Sequence, residues 1–234
     1  MNKKSIQKSF VLIPACLFFF PIFLTAAEKN QPITHSGDRP ARQNILRFFQ
    51  YEKKVNLNAK ILDKENEPGY TRERIVFNGA DDAPVYGYLA LPSKKSPPFP
   101  VVLQAHYLKG SKYDWWKDDN FIYGGNLTKK LIKAGFAVLS LNSKFSRLFD
   151  FHTKSGQPDP AKALKKQLQE KIQLIINSTS NYRLAIDYLQ TRKEIDTSKI
   201  GVIGYSIGSI VALQLTAVDH RIKTAVLCVI PAIR

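Results

Sequence analysis

The sequence predicts an α/β fold: a mostly parallel sheet with helices on both faces, entered through an antiparallel start. Three observations carry this. "VVLQAH" (101–106), "FAVLSLNS" (136–143), "KIGVIGYS" (199–206) and "IKTAVLCVIP" (222–231) are short continuous apolar runs, the pattern of strands buried on both faces. Segments with helical periodicity fall between them, which is the alternation that builds parallel strand–helix–strand units. Upstream, "ERIVFNG" and "APVYGYLALP" are β-branched segments linked through "NGADD", an antiparallel pairing signal.

Taken in order, the first 27 residues stand apart. Lys3, Lys4 and Lys8 precede an apolar stretch from Phe10 to Leu24, and Thr25, Ala26 and Ala27 are small, the layout of a cleavable export signal. The run falls short of the ~20 apolar residues that span a bilayer and contains Pro14 and Pro21, so an uncleaved anchor is the weaker reading. Export to a periplasmic or extracellular location is expected, with no stable membrane span after cleavage. "IPAC" (13–16) is a poor lipid-attachment site because apolar residues continue beyond the cysteine. Cleavage after Ala27 leaves Cys228 alone, so stability has to come from packing rather than from an intrachain disulfide.

Residues 28–70 read as an N-terminal extension: a linker through Pro40, then a mixed stretch in which "ILRFFQY" makes a short helix at most. Residues 71–234 form the main domain. After "SKKSPPFP" breaks the chain, "GGNLTKKLIKAG" is a helix stopped by Gly135. A loop to Pro160 leads into "PAKALKKQLQEKIQLIIN" and "NYRLAIDYLQ", two helices separated near "STS". "IGSIVALQLTA" is the last helix.

A hydrophobic content of 44% is enough for a core, and the formal charge of +16 is strongly basic. The lysines are dispersed, with no zinc-finger spacing or RNA-binding aromatic signature, so nucleic acid is not the expected partner. No metal-ligand cluster or phosphate-binding glycine loop occurs, and no cofactor is implied.

The chemistry concentrates at Gly204-Tyr205-Ser206-Ile207-Gly208, which fits G-x-S-x-G between a strand and a helix. A serine hydroxyl is a weak nucleophile and has to be presented to a base. A sharp strand-to-helix turn does so, small flanking residues let it form, and the N–H of Ile207 at the helix start is placed to donate to an oxyanion.

With that motif, residues 71–231 resemble the front two-thirds of an α/β-hydrolase, most similar to the group of dienelactone hydrolases, acetyl-xylan-type esterases and secreted peptidase-like hydrolases. "PVVLQAHYLKGSKYDWW" (100–116), "GFAVLSLNSKFS" (135–146) and "IDYLQTRKEIDTSKIGVIGYSIGSIVALQLTAVDHRIKTAVL" (186–227) carry the resemblance. It implies Ser206 as nucleophile, Ile207 as one backbone oxyanion donor and Leu108, two positions beyond the loop histidine, as the second. Two departures stand out: His106-Tyr107 replaces a His-Gly pair, and Ser209 stands where many relatives have glycine.

In this family the triad acid follows the seventh strand and the base histidine the eighth. The last strand-like run here is the sixth, so both are expected beyond Arg234, and the domain is expected to lack the last strands and helices. His106 and His152 lie at the correct sheet edge and are the candidate substitute bases, Asp150 accompanying His152. His35 belongs to the linker, and His220 with Asp219 falls at the opposite edge. Without its later strands, "TAVLCVI" is expected to be an unpaired edge, poorly soluble or prone to self-association.

Two functional classes follow: an exported serine hydrolase acting on a small-molecule carboxylic ester through an acyl-enzyme, or a catalytically inactive fragment serving as a binding module. A basic envelope-binding protein is a third reading that rests on charge alone.

Overall fold

A computed structural model describes residues 22–25, 43, 46–49, 57–143 and 160–231. They build one sheet of eight strands: β1 (Ile22–Thr25), β2 (Lys60–Glu67), β3 (Tyr70–Asn78), β4 (Pro84–Pro92), β5 (Phe99–Ala105), β6 (Ala137–Leu141), β7 (Ile195–Tyr205) and β8 (Ile222–Cys228). Their spatial order is β1-β8-β7-β5-β6-β4-β3-β2. The helices are α1 (Gly124–Ala134), α2 (Pro160–Gln190) and α3 (Ile207–Val218), with a 3-10 turn over Lys112–Trp116.

The central strands β6, β5, β7 and β8 are parallel neighbours, whereas β2, β3 and β4 run as an antiparallel meander that joins them through β4 and β6. The predicted antiparallel start is therefore present, with Tyr70 opposite Pro92 and Asn78 opposite Pro84. Burial explains the apolar runs: all five residues of β6 are buried, as are Val101, Leu103 and Ala105 of β5 and Ile200 and Val202 of β7. Tyr182, Leu184, Ala185, Ile186 and Leu189 of α2 complete the main core with Val211, Ala212 and Leu215 of α3. Gly135 ends α1 in the left-handed region at φ 100°, as its place after the helical run predicts.

Three expectations are corrected. β2 extends the sheet into the stretch assigned to the N-terminal extension. Seven of its eight residues are exposed, so no apolar alternation marks it in the sequence. Residues 160–190 form one helix rather than two. Ser178, Thr179 and Ser180 are buried where the break was expected, and the Thr179 hydroxyl lies 3.0 Å from both Ile175 O and Gln214 Oε1 on α3. Small hydroxyl residues here let two helices approach and still satisfy their polar atoms within the helix.

The third correction concerns the outer edge of β8. In the full chain it is paired: Ile22–Thr25, inside the segment that cleavage after Ala27 would remove, runs antiparallel along it, from Ile22 opposite Leu227 to Thr25 opposite Thr224. Residues 1–21 and 26–27 of the expected export signal, and the linker that follows, lie outside the described residues. Among the described residues no helix is long and apolar enough to cross a membrane.

Two buried ionic networks brace the ends of these elements. The Arg192 guanidinium reaches both oxygens of Glu73 on β3 at 2.6 and 3.2 Å, and also the Tyr188 hydroxyl and Glu194. Arg221 and Arg183 converge on Asp219 in the α3–β8 turn. Burial alone would raise the Asp219 carboxyl, but the hydrogen bonds and charge of Arg221 outweigh it and hold the group below its ordinary range.

Candidate active site

The G-x-S-x-G segment spans the last residues of β7 and the first of α3. Ser206 stands between them at φ 55°, ψ −121°, a conformation costly for a residue with a Cβ. Surrounding bonds hold it there: Ser206 N–H donates to Cys228 O at 2.8 Å, and Ser209 N–H returns to Ser206 O at 2.8 Å. The Ser206 side chain makes no capping hydrogen bond to α3, and the residue is only partly buried.

The two glycines have separate steric reasons. A Cβ on Gly204 would sit 2.1 Å from Gly208 O, so the strand could not fold back against the helix start. A Cβ on Gly208 would sit 2.2 Å from Ala105 O and 2.7 Å from His106 O. α3 thus begins in backbone contact with the end of β5, which brings the Ile207 end of the helix to the loop that carries His106 and Leu108. Ile207 opens α3, where first-turn N–H groups lack intrahelical acceptors. Leu108 packs partly buried against the core. The Ser209 hydroxyl lies 2.8 Å from Gly204 O and 2.7 Å from Cys228 O, tying β7, α3 and β8 together at the elbow. A glycine could not supply that link.

His106 is 1% exposed, and both ring nitrogens are occupied locally. Ser143 N–H donates to Nε2 at 3.0 Å, so Nε2 carries the lone pair and Nδ1–H donates to Tyr107 O at 2.8 Å. Burial depresses its pKa below 6.5 despite the opposing effects of the Tyr107 carbonyl and Asp114. The ring is a neutral brace between the loops after β5 and β6. A depressed histidine leaves stability unchanged above pH 6.5. Below it the unfolded chain takes up a proton that the folded chain refuses, so stability falls as the pH drops toward the folded value. Thermal melts from pH 7.5 to 5 are expected to show a steeper acid loss for the wild type than for His106→Gln.

The turn after His106 gains its freedom three residues later. Lys109 takes φ 64°, and Gly110 N–H closes the turn onto Tyr107 O at 2.9 Å. The following segment is firmly seated. Ser111 and Asp114 cap the 3-10 turn reciprocally, Lys112 N–H donates to Asn142 Oδ1, and the Trp116 indole donates to Ser140 Oγ. The Lys112 ammonium is buried against Tyr88 and Tyr113, 4.9 and 4.0 Å from their ring centres. Burial, with the neighbouring Tyr113 hydroxyl, pushes Tyr88 up to about 12.

An aromatic group missed by sequence reasoning stands beside the nucleophile. Tyr205, Tyr107 and Phe121 meet edge to face, with ring centres 4.7 to 6.1 Å apart, and Phe121 is 59% exposed. Burial raises the Tyr205 and Tyr107 hydroxyl pKa values, so both remain neutral hydrogen-bonding groups.

Of the remaining histidines, His220 is exposed in the turn between α3 and β8, at the sheet edge opposite Ser206, and its neighbour Asp219 is held by arginines. His152, Asp150 and His35 lie outside the described residues.

Comparison with known proteins agrees with this architecture. A Bacillus subtilis (strain 168) protein described as a hydrolase, YtaP, is 29% identical over 215 residues, which are 87% of this chain and 63% of that one. A Bacteroides fragilis NCTC 9343 structure assigned as an acetyl xylan esterase superposes with a TM-score of 0.58 at 18% identity, covering 80% of this chain and 50% of its own. The glucuronoyl esterase from Solibacter usitatus gives 0.53 at 18% identity, covering 85% and 60%. The chain therefore spans between half and two-thirds of the length of these proteins, and the structural likenesses establish the fold. Residues 85–228, which run from β4 through the elbow to the end of β8, match the dienelactone hydrolase family, and the chain belongs to that family.

Proposed function

We propose that this chain carries the nucleophile and oxyanion site of an exported carboxylic-ester hydrolase that works through an acyl-enzyme on Ser206. The observation that carries the reading is the strained Ser206 backbone, held between glycines that permit no side chain. Such a conformation persists only where surrounding structure enforces it, and here it turns a hydroxyl out at the carboxyl end of the central strands. YtaP's description as a hydrolase and the esterase assignments of the structural neighbours support the same reaction class.

In the proposed reaction Ser206 Oγ attacks the ester carbonyl as a base removes its proton. The N–H groups of Ile207 and Leu108 stabilise the tetrahedral oxyanion, and the alcohol leaves from an acyl-Ser206 that water then hydrolyses. Tyr107, Phe121 and Tyr205 form an apolar wall beside the reacting carbonyl. His106 orders the loop and is not the base, because both its nitrogens are already engaged. With His220 at the far edge, the base comes from outside the described residues, and His152 is the candidate within this chain.

Labelling with a fluorophosphonate probe, paired with p-nitrophenyl acetate turnover, tests the proposal. Labelling of the full chain that disappears in Ser206→Ala is the expected result, and its loss in His152→Ala would assign the base. A folded chain that neither labels nor turns over would instead be the inactive binding module.

A further inference from the structure

A second site lies at the other end of the sheet. A cavity of about 620 Å³ opens between the β2–β3 turn, the end of β4 and the second half of α1. Its lining includes the apolar Pro68, Tyr70, Pro92 and Ile132, together with Lys94 and Lys95 after β4 and Lys129 and Lys133 on α1. The one carboxylate in its lining, Glu67, faces Arg72 at 3.8 Å, and Lys129 is paired with Asp118. Lys94, Lys95 and Lys133 are exposed and have no ion pair among the described residues.

We propose that this cavity binds an acidic polysaccharide and anchors the protein to it. Unpaired cations contributed by two elements, the segment after β4 and α1, are complementary to a ligand whose negative charges recur along its length. The apolar lining residues suit the face of a sugar ring, and the cavity is larger than a lone small anion needs. Ammonium groups on flexible stems act as point charges and so follow carboxylates at variable positions along a chain.

The cavity lies at the amino-terminal edge of β5 and β6, where α1 ends, whereas Ser206 follows the carboxyl-terminal end of β7. β6 and β5, which run between those edges, are five and seven residues long, which separates the two by roughly 20 Å. The cavity therefore holds a polymer at a distance from Ser206, and binding there does not require turnover.

The test uses the full chain in affinity electrophoresis through gels containing polygalacturonate, with neutral dextran as the reference. One variant reverses the cavity lysines (Lys94→Glu, Lys95→Glu, Lys133→Glu). A second makes the same charge change on exposed α2 positions (Lys165→Glu, Lys166→Glu, Lys171→Glu), and unchanged thermal melts establish that both fold. Retardation by polygalacturonate alone is expected. It should weaken by roughly tenfold in the cavity variant, since each exposed ion pair contributes only a factor of a few, and by less than about twofold in the α2 variant. Equal weakening in both variants would reduce the effect to diffuse charge and overturn the proposal, as would absence of retardation. Sedimentation with phosphatidylglycerol vesicles that depends on the same three lysines, without polygalacturonate binding, would make the cavity a lipid-headgroup site and also overturn it.

Discussion

Gly208→Ala is expected to yield little folded protein, with the folded remainder destabilised by about 3 kcal/mol or more, at the upper end of overpacking effects. The added Cβ would meet Ala105 O at 2.2 Å, with Ala105 C and His106 O both at 2.7 Å. All three are backbone atoms in or beside a central strand, so no rotamer change relieves the collision. α3 would have to lift away from β5, taking the Ile207 N–H out of register with the His106 loop. Urea titration should show a lower midpoint, and fluorophosphonate labelling of any folded fraction should fall with it. Gly201→Ala is the matched control. Its closest contact would be the Thr224 methyl group at 3.2 Å, which can yield by a few tenths of an ångström, with Thr224 O and Val102 at ordinary distances of 3.8 and 3.9 Å.

Arg192→Met should cost about 3–5 kcal/mol by stranding a buried carboxylate. Glu73 is 1% exposed on β3, and Arg192 supplies two of its hydrogen bonds from the end of α2. Burial alone would lower the Arg192 pKa, but hydrogen bonds to Glu194 and Glu73 raise it above its ordinary value, so the cation is permanent. Methionine would leave Glu73 only Lys64, at 2.9 Å from a largely solvated side chain. The cost lies in the uncompensated charge, so the double variant Glu73→Gln/Arg192→Met should recover part of the loss. Chemical denaturation of the four-member cycle measures that coupling directly.

The central sheet was legible because its strands are buried on both faces, which forces continuous apolar runs such as "AVLSL" and "GVIG". The elbow was legible because its geometry demands two glycines at fixed distances from the serine. β2 was not, since a strand exposed along its length carries no pattern of burial. The continuous α2 was missed because "STS" scores as a breaker, whereas close packing on α3 rewards small hydroxyls there. At the site, sequence placed His106 at the right edge but could not show that Ser143 and Tyr107 occupy its nitrogens. Phe121 lies in the polar stretch "KDDNFIYGG", where only the folded loop shows that it meets Tyr107 and Tyr205.

The strand order also sets the sequence in which the chain can assemble. β2, β3 and β4 pair with immediate neighbours, so their loops close cheaply and early. β7 docks on β5 across roughly a hundred residues, with Ile200 opposite Val101, and only that late closure brings Gly208 against Ala105. The nucleophile's conformation is therefore expected to form after the local meander, when β7 docks on β5. Until then Ser206 is an ordinary serine, and a reactive hydroxyl appears only in a molecule whose sheet is already in place.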